Sequence, residues 1–131
     1  MALIAKNVNT GVVIAERVSV AATRAARRTG LLKHSSLPEG EGLWIVPCRG
    51  VHTFQMKFAI DVVGLDERGV VVDRVVNLQP WRLRLPRRGT AGVLELPAGW
   101  LDRTGTALGH RIEFSVRNVS ALALRIPETA A

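Results

Sequence analysis

"IDVVGLDERGVVVDRVV", residues 60–76, decides how the rest of this chain is read. Two Val-rich runs flank Asp66-Glu67-Arg68-Gly69, and β-branched residues at that density favour a pleated, half-buried surface over a helix. The four residues between them make a hairpin loop, with Gly69 at the left-handed position that other residues avoid. The same grammar recurs from Gly42 onward in "GLWIV", "VHTFQMKF", "WRLRL", "GVLEL", "RIEFSV" and "ALALRI", separated by Pro, Gly, Asp and Arg-rich turns.

Upstream, "ALIAKNV" and "GVVIAERV" meet across Asn9-Thr10-Gly11 as another hairpin. One main helix is predicted over about residues 19–30, with Ser19 as its cap and Gly30 as the residue that ends it. Ala21, Ala22, Ala25 and Ala26 fall on one side of that helix and Arg24, Arg27 and Arg28 on the other. The alanine side is expected to rest on the sheet, and the arginines to be a solvated face matched to the helix dipole. A short second helix is expected after Pro97, in "AGWLDRTG". Many short strands and one main helix give an α+β domain, predominantly β, built on a strongly bent antiparallel or mixed sheet or a small barrel.

At 131 residues the chain fits a single domain over 1–131, large enough to bury roughly two thirds of its unfolded surface. With 47% hydrophobic and 22% charged residues it has the composition of a globular protein, not a disordered one. Its apolar runs are too short to span a bilayer, and its start lacks the pattern of a secretory signal. One cysteine forms no internal disulfide, so a cytoplasmic location is expected. Eighteen Lys and Arg against eleven Asp and Glu give a net charge of +7, which attracts polyanions.

Three groups of residues could carry chemistry. Cys48, His52 and Asp61 are the types of a thiol or histidine-dependent reaction centre, but four residues of straight strand hold Cys48 and His52 about 13 Å apart. Only a bend at Arg49 and Gly50 brings them together. Strict alternation places His52 with Phe54, Met56 and Phe58 on the apolar face, as a hydrogen-bonded core residue, and Asp61 on the other. These three are therefore expected to be mainly structural. A ligand surface is expected instead near His52, Met56, Asp61 and Glu95. Glu95 enters because "VLELPAG" sets one carboxylate amid apolar residues, although an ordinary solvent-facing strand residue reads the same way.

The third group is Arg82, Arg84, Arg87 and Arg88 in "QPWRLRLPRRG", which could hold a phosphate backbone without sequence preference. Trp81 and Leu83 share the apolar parity of that segment, so Trp81 is not expected to stack on a base; an edge strand guarded by arginines and prolines is the plainer reading. No metal or cofactor is expected: Cys48 and His52 have a spacing unlike zinc motifs, His34 and His110 are remote, and nucleotide-binding glycine motifs are missing. The expected partner is a small molecule or a protein, with weak polyanion binding as a further reading.

Taken in order, "RRTGLLKHSSLPEGEGLWI", "HTFQMKFAIDVVGLDERGVVV" and "VLELPAG" followed by "LGHRI" make residues from about 22 to 114 resemble the prokaryotic family known as domain of unknown function 192. The resemblance implies a compact β-rich fold with a helix before the "GLL" segment. It implies no established enzymatic activity. Ala59 stands where that family usually has proline, and His110 where an aspartate is expected; the central motif is also shorter than usual. Many relatives carry export signals, which this sequence lacks.

Overall fold

The computed structural model describes residues 2–48, 51–84 and 87–116. Arg49 and Gly50, where a bend would be needed to join Cys48 to His52, as well as Leu85 of "WRLRL" and the run "ALALRI", lie outside them. Strand far outweighs helix, and the main sheet is a curled half-barrel. β1 (Ala2–Asn7) and β2 (Val13–Ala21) form the first hairpin, with Ala2 opposite Ser19. α1 (Arg24–Thr29) follows, then β3 (Glu41–Ile45), β4 (Val51–His52), β5 (Ile60–Leu65), β6 (Val71–Leu78), β7 (Leu83–Arg84), β8 (Gly92–Pro97), α2 (Trp100–Thr104) and β9 (Ile112–Val116). Seven strands make one sheet in the order β6-β5-β8-β3-β2-β1-β9, and β4 pairs with β7 apart from it. Only β2 and β3 run parallel, joined through α1; the other neighbours are antiparallel.

The 66–69 loop forms as its residue types dictate. Gly69 sits at φ 82°, where a Cβ would strike the Ile112 carbonyl, and the Asp66 carboxylate accepts from the N–H groups of Arg68 and Val70. The helix is where the expectation fails. β2 continues to Ala21, so Ser19 is a strand residue, and α1 is a six-residue helix capped by Thr23, whose hydroxyl accepts from Ala26 N–H at 3.0 Å. The β-branched Val13, Val18 and Val20 win for the sheet what a 3.6-residue count of alanines assigns to the helix. No residue of α1 is buried; Ala26 alone among its alanines packs on the core, and only partly.

β5 and β8 are neighbouring interior strands of the sheet with every residue buried. Their sequences are nearly continuous apolar runs because both faces of the sheet are covered. Alternation sends Val63, Leu65, Leu94 and Leu96 into one apolar cluster, closed by Leu101 of α2. It sends Val62 and Val93, with Leu43 and Ile45 of β3, into a second, to which Leu31, Val51 and Met56 add cover. Glu95 shares the parity of Val93. Its carboxyl group is therefore delivered to the second cluster, inside the protein.

Candidate functional site

A pocket of about 160 Å³ opens beside that second cluster. Its floor is apolar, made by Leu31, Ile45, Val51 and Met56, all buried, and into it comes Glu95, which is 4% exposed. Arg27, Arg28 and Thr29, at the end of α1, line it from one side, and Pro47, Cys48 and His52 from another. Glu95 Oε2 is shielded from solvent and has no hydrogen-bond partner among the described residues. A buried carboxyl group without a partner is costly and favours its neutral form. Burial accordingly pushes the Glu95 pKa up from 4.5 to about 7. The solvent-facing reading of Glu95 is thus corrected: β8 lies between β5 and β3, and all of its residues are buried.

Cys48, His52, Met56 and Glu95 line this one pocket, and Asp61 does not. Asp61 is fully buried on β5, where Oδ1 accepts from Asn77 N–H at 2.8 Å and Gly99 N–H at 3.0 Å, and Oδ2 from Leu101 N–H at 2.8 Å. Gly99 precedes α2 and has no side chain to cap it, so a carboxylate from a distant strand satisfies the orphan N–H groups of that helix. All three contacts go to backbone. Asp61 pins α2 and the positive-φ residue Asn77 to the sheet, and it is no member of a Cys48–His52 centre.

His52 is exposed, contrary to its parity with Phe54, Met56 and Phe58. The strand stops after it, because Thr53 turns inward: its hydroxyl donates to Gln79 O at 2.6 Å and accepts from Arg82 N–H at 2.8 Å. That displaces His52 and Phe54 outward, and Gln55, at φ 66°, resets the alternation so that Met56 is buried. Trp81 is corrected likewise. It is 61% exposed, at φ 64°, held by its N–H on Thr53 O, and Leu83 is equally exposed. His52, Phe54 and Trp81 stack in a surface row with centroid separations of 5.1 and 6.2 Å.

The four arginines are not placed alike. Arg84 makes two hydrogen bonds to Asp73, and Arg87 approaches the same carboxylate at 3.5 Å. The Asp73 bond raises the Arg84 pKa above its ordinary value, against desolvation. Arg82 and Arg88 are exposed. Among the described residues no three His, Cys, Asp or Glu converge as metal ligands, and no helix is long and apolar enough to cross a membrane.

Arg27 and Arg28 are the pocket residues that sequence reasoning missed. A dipole-matched pair at a helix end is usually solvated, and the available signal was their position just before Gly30-Leu31-Leu32, since Leu31 is a core residue.

Comparison with known proteins agrees with this architecture. A crystal structure of a protein of unknown function from Novosphingobium aromaticivorans is similar with a TM-score of 0.74 and 23% identity, over 86% of this chain and 84% of that one. One from Sinorhizobium meliloti 1021, provisionally described as a transcription regulator, is similar with the same TM-score and 20% identity, over 86% of this chain and 91% of that one. At such identities the likeness concerns the fold alone. A UPF0127 protein of Thermococcus sibiricus is 30% identical over 115 residues, 84% of this chain and 73% of that relative. The family model DUF192, "Uncharacterized ACR", matches residues 5–114. With the model covering most of the sequence, the chain belongs to the DUF192 family.

Proposed function

We propose that this protein is a small single-domain binding protein that takes one small organic molecule into the pocket around Glu95 and performs no chemistry on it. The observation that carries the reading is Glu95 Oε2, buried at the pocket with no partner among the described residues. Folding leaves a hydrogen-bond acceptor unmatched there, and a ligand that supplies a donor recovers that cost on binding. The volume, about 160 Å³, lies well below the range of drug-sized sites and near that of a cavity that holds benzene. A cytoplasmic setting is consistent with the single cysteine.

A fragment screen by ligand-observed NMR tests this reading, run on the wild type and on Leu32→Trp, which fills the pocket from its half-buried edge. Fragments should bind the wild type and be lost in the variant. Binding at about 100 times Kd should stabilise the wild type by roughly 2.7 kcal/mol. Fragments that bind both proteins equally, or none at all, defeat the reading.

One observation favours a second reading, a thiol-dependent enzyme: Cys48, His52 and Glu95 line the same pocket. An activated thiol alkylates quickly well below its ordinary pKa of about 8.5. Iodoacetamide labelling with a rate plateau near about pH 6, abolished by His52→Ala, decides for the enzyme; a rate that rises only toward about pH 8.5 decides against it. The segment with Arg82, Arg84, Arg87 and Arg88 is read as a guarded edge strand, because Asp73 already engages two of its cations.

A further inference from the structure

Resting on the pocket reading, we infer that the ligand is a small hydroxylated organic anion with an apolar body, its hydroxyl donating to Glu95 and its anionic group held by Arg27 and Arg28. Each part of that description answers one part of the pocket. The floor residues offer no hydrogen bonds, so they fit a hydrocarbon body. Glu95 Oε2, set among them, is a buried acceptor without a donor among the described residues. Arg27 and Arg28 also line the pocket, and the planar fork of a guanidinium matches a carboxylate. Arg27 Nη1 donates to Ala22 O at 2.5 Å, which uses one of the five N–H donors that a guanidinium carries.

Charge decides between a hydroxyl and an ammonium as the donor that reaches Glu95. A cationic ligand has to pass two arginines on a chain of net charge +7, and then form an ion pair in an apolar floor, where desolvation offsets the attraction. A hydroxyl meets neither obstacle. It donates to the carboxylate and exchanges hydrogen bonds with the protonated acid, so it suits Glu95 in either state. The volume of about 160 Å³ suits one ring or a short chain as the part held inside.

The test uses four probes of one shape: para-hydroxybenzoate, benzoate, phenol and tyramine, titrated by calorimetry and by amide chemical shifts to about 10 mM, enough to register millimolar Kd values. Para-hydroxybenzoate should bind at least tenfold more tightly than benzoate or phenol, with shifts around Leu31, Met56 and Glu95. Glu95→Leu should abolish its advantage over benzoate. Arg28→Gln, at an exposed position, should abolish its advantage over phenol. Equal binding of benzoate and para-hydroxybenzoate, preference for tyramine, or no binding of any probe overturns the hydroxy-acid class. If the fragment screen still yields ligands lost in Leu32→Trp, the pocket stands and the class alone has failed; if it yields none, both fall.

Discussion

Two buried carboxylates lie almost side by side on adjacent central strands, and they are provided for in opposite ways. Asp61 pairs in register with Leu96, and Glu95 with Val62, so they are one step apart across the same ladder. Parity gives each a different face. Asp61 meets α2 and the Asn77 bend, where three backbone N–H groups point at it; Glu95 meets an apolar cluster and a pocket, where its Oε2 has no donor among the described residues. Burial of an acid is therefore not what marks a site here. The difference lies in the donor count, since a saturated carboxylate has nothing left to offer a ligand.

The largest effect that sharpens this comparison is the loss of Asp61. Asp61→Ala strands the buried N–H of Leu101 and the partly buried N–H groups of Asn77 and Gly99, the first at up to about 3 kcal/mol and the others at about 1 kcal/mol or less, so a loss on the order of 4 kcal/mol is expected in urea unfolding. Asp61→Asn, which keeps an acceptor, should cost about half as much. A loss under about 1 kcal/mol for the alanine variant would show that water serves α2 as well as Asp61 does, and the contrast with Glu95 would collapse.

Glu95 should show itself through pH. Its pKa is raised by burial from 4.5 to about 7, so between those values the folded protein keeps a proton that the unfolded chain has released. That contribution is fully present below about pH 4.5 and is lost as pH rises through about 7, by up to roughly 3 kcal/mol. Unfolding at about pH 5 and about pH 8 should therefore reveal a decline in the wild type that Glu95→Gln lacks. Identical slopes in the two proteins would mean that Glu95 has a partner or ready access to water, and the pocket would lose its defining atom.

Legibility in the sequence follows the same division. The strands from β5 to β6 could be read because Val density and the Asp66–Gly69 loop are local signals, and the fold class rests on such signals. The α1 boundary could not, because Ser19 and Val20 are claimed by pairing with β1 and β3, which is long-range. Period-two counting failed at His52 for a similar reason. The hydroxyl of Thr53 is drawn inward by backbone groups of residues 79 and 82, some thirty positions away, and the parity of its neighbours follows. Glu95 was legible as a residue out of place among apolar neighbours, but whether it was buried depended on the place of β8 in the sheet order.

The smallest expected effect concerns the rim. Trp81 stacks near Phe54, and Phe54 on His52, which also lines the pocket, so the row could be taken for a wall that keeps water from Glu95. Its exposure argues otherwise: Trp81 is 61% and Phe54 42% accessible, and a side chain that remains largely in water contributes little burial. The outer stack, at 6.2 Å, lies toward the far end of the range in which aromatic pairs add about 0.5–1.5 kcal/mol. Trp81→Ala should therefore cost less than about 1 kcal/mol and leave the pH-dependent decline of the wild type intact. Because Glu95 sits on β8 and owes its burial to strands on both sides, its proton should not register the loss of a surface ring. A cost above about 2 kcal/mol, or a flattened pH profile, would make the row part of the enclosure and extend the site beyond Arg27, Arg28 and His52.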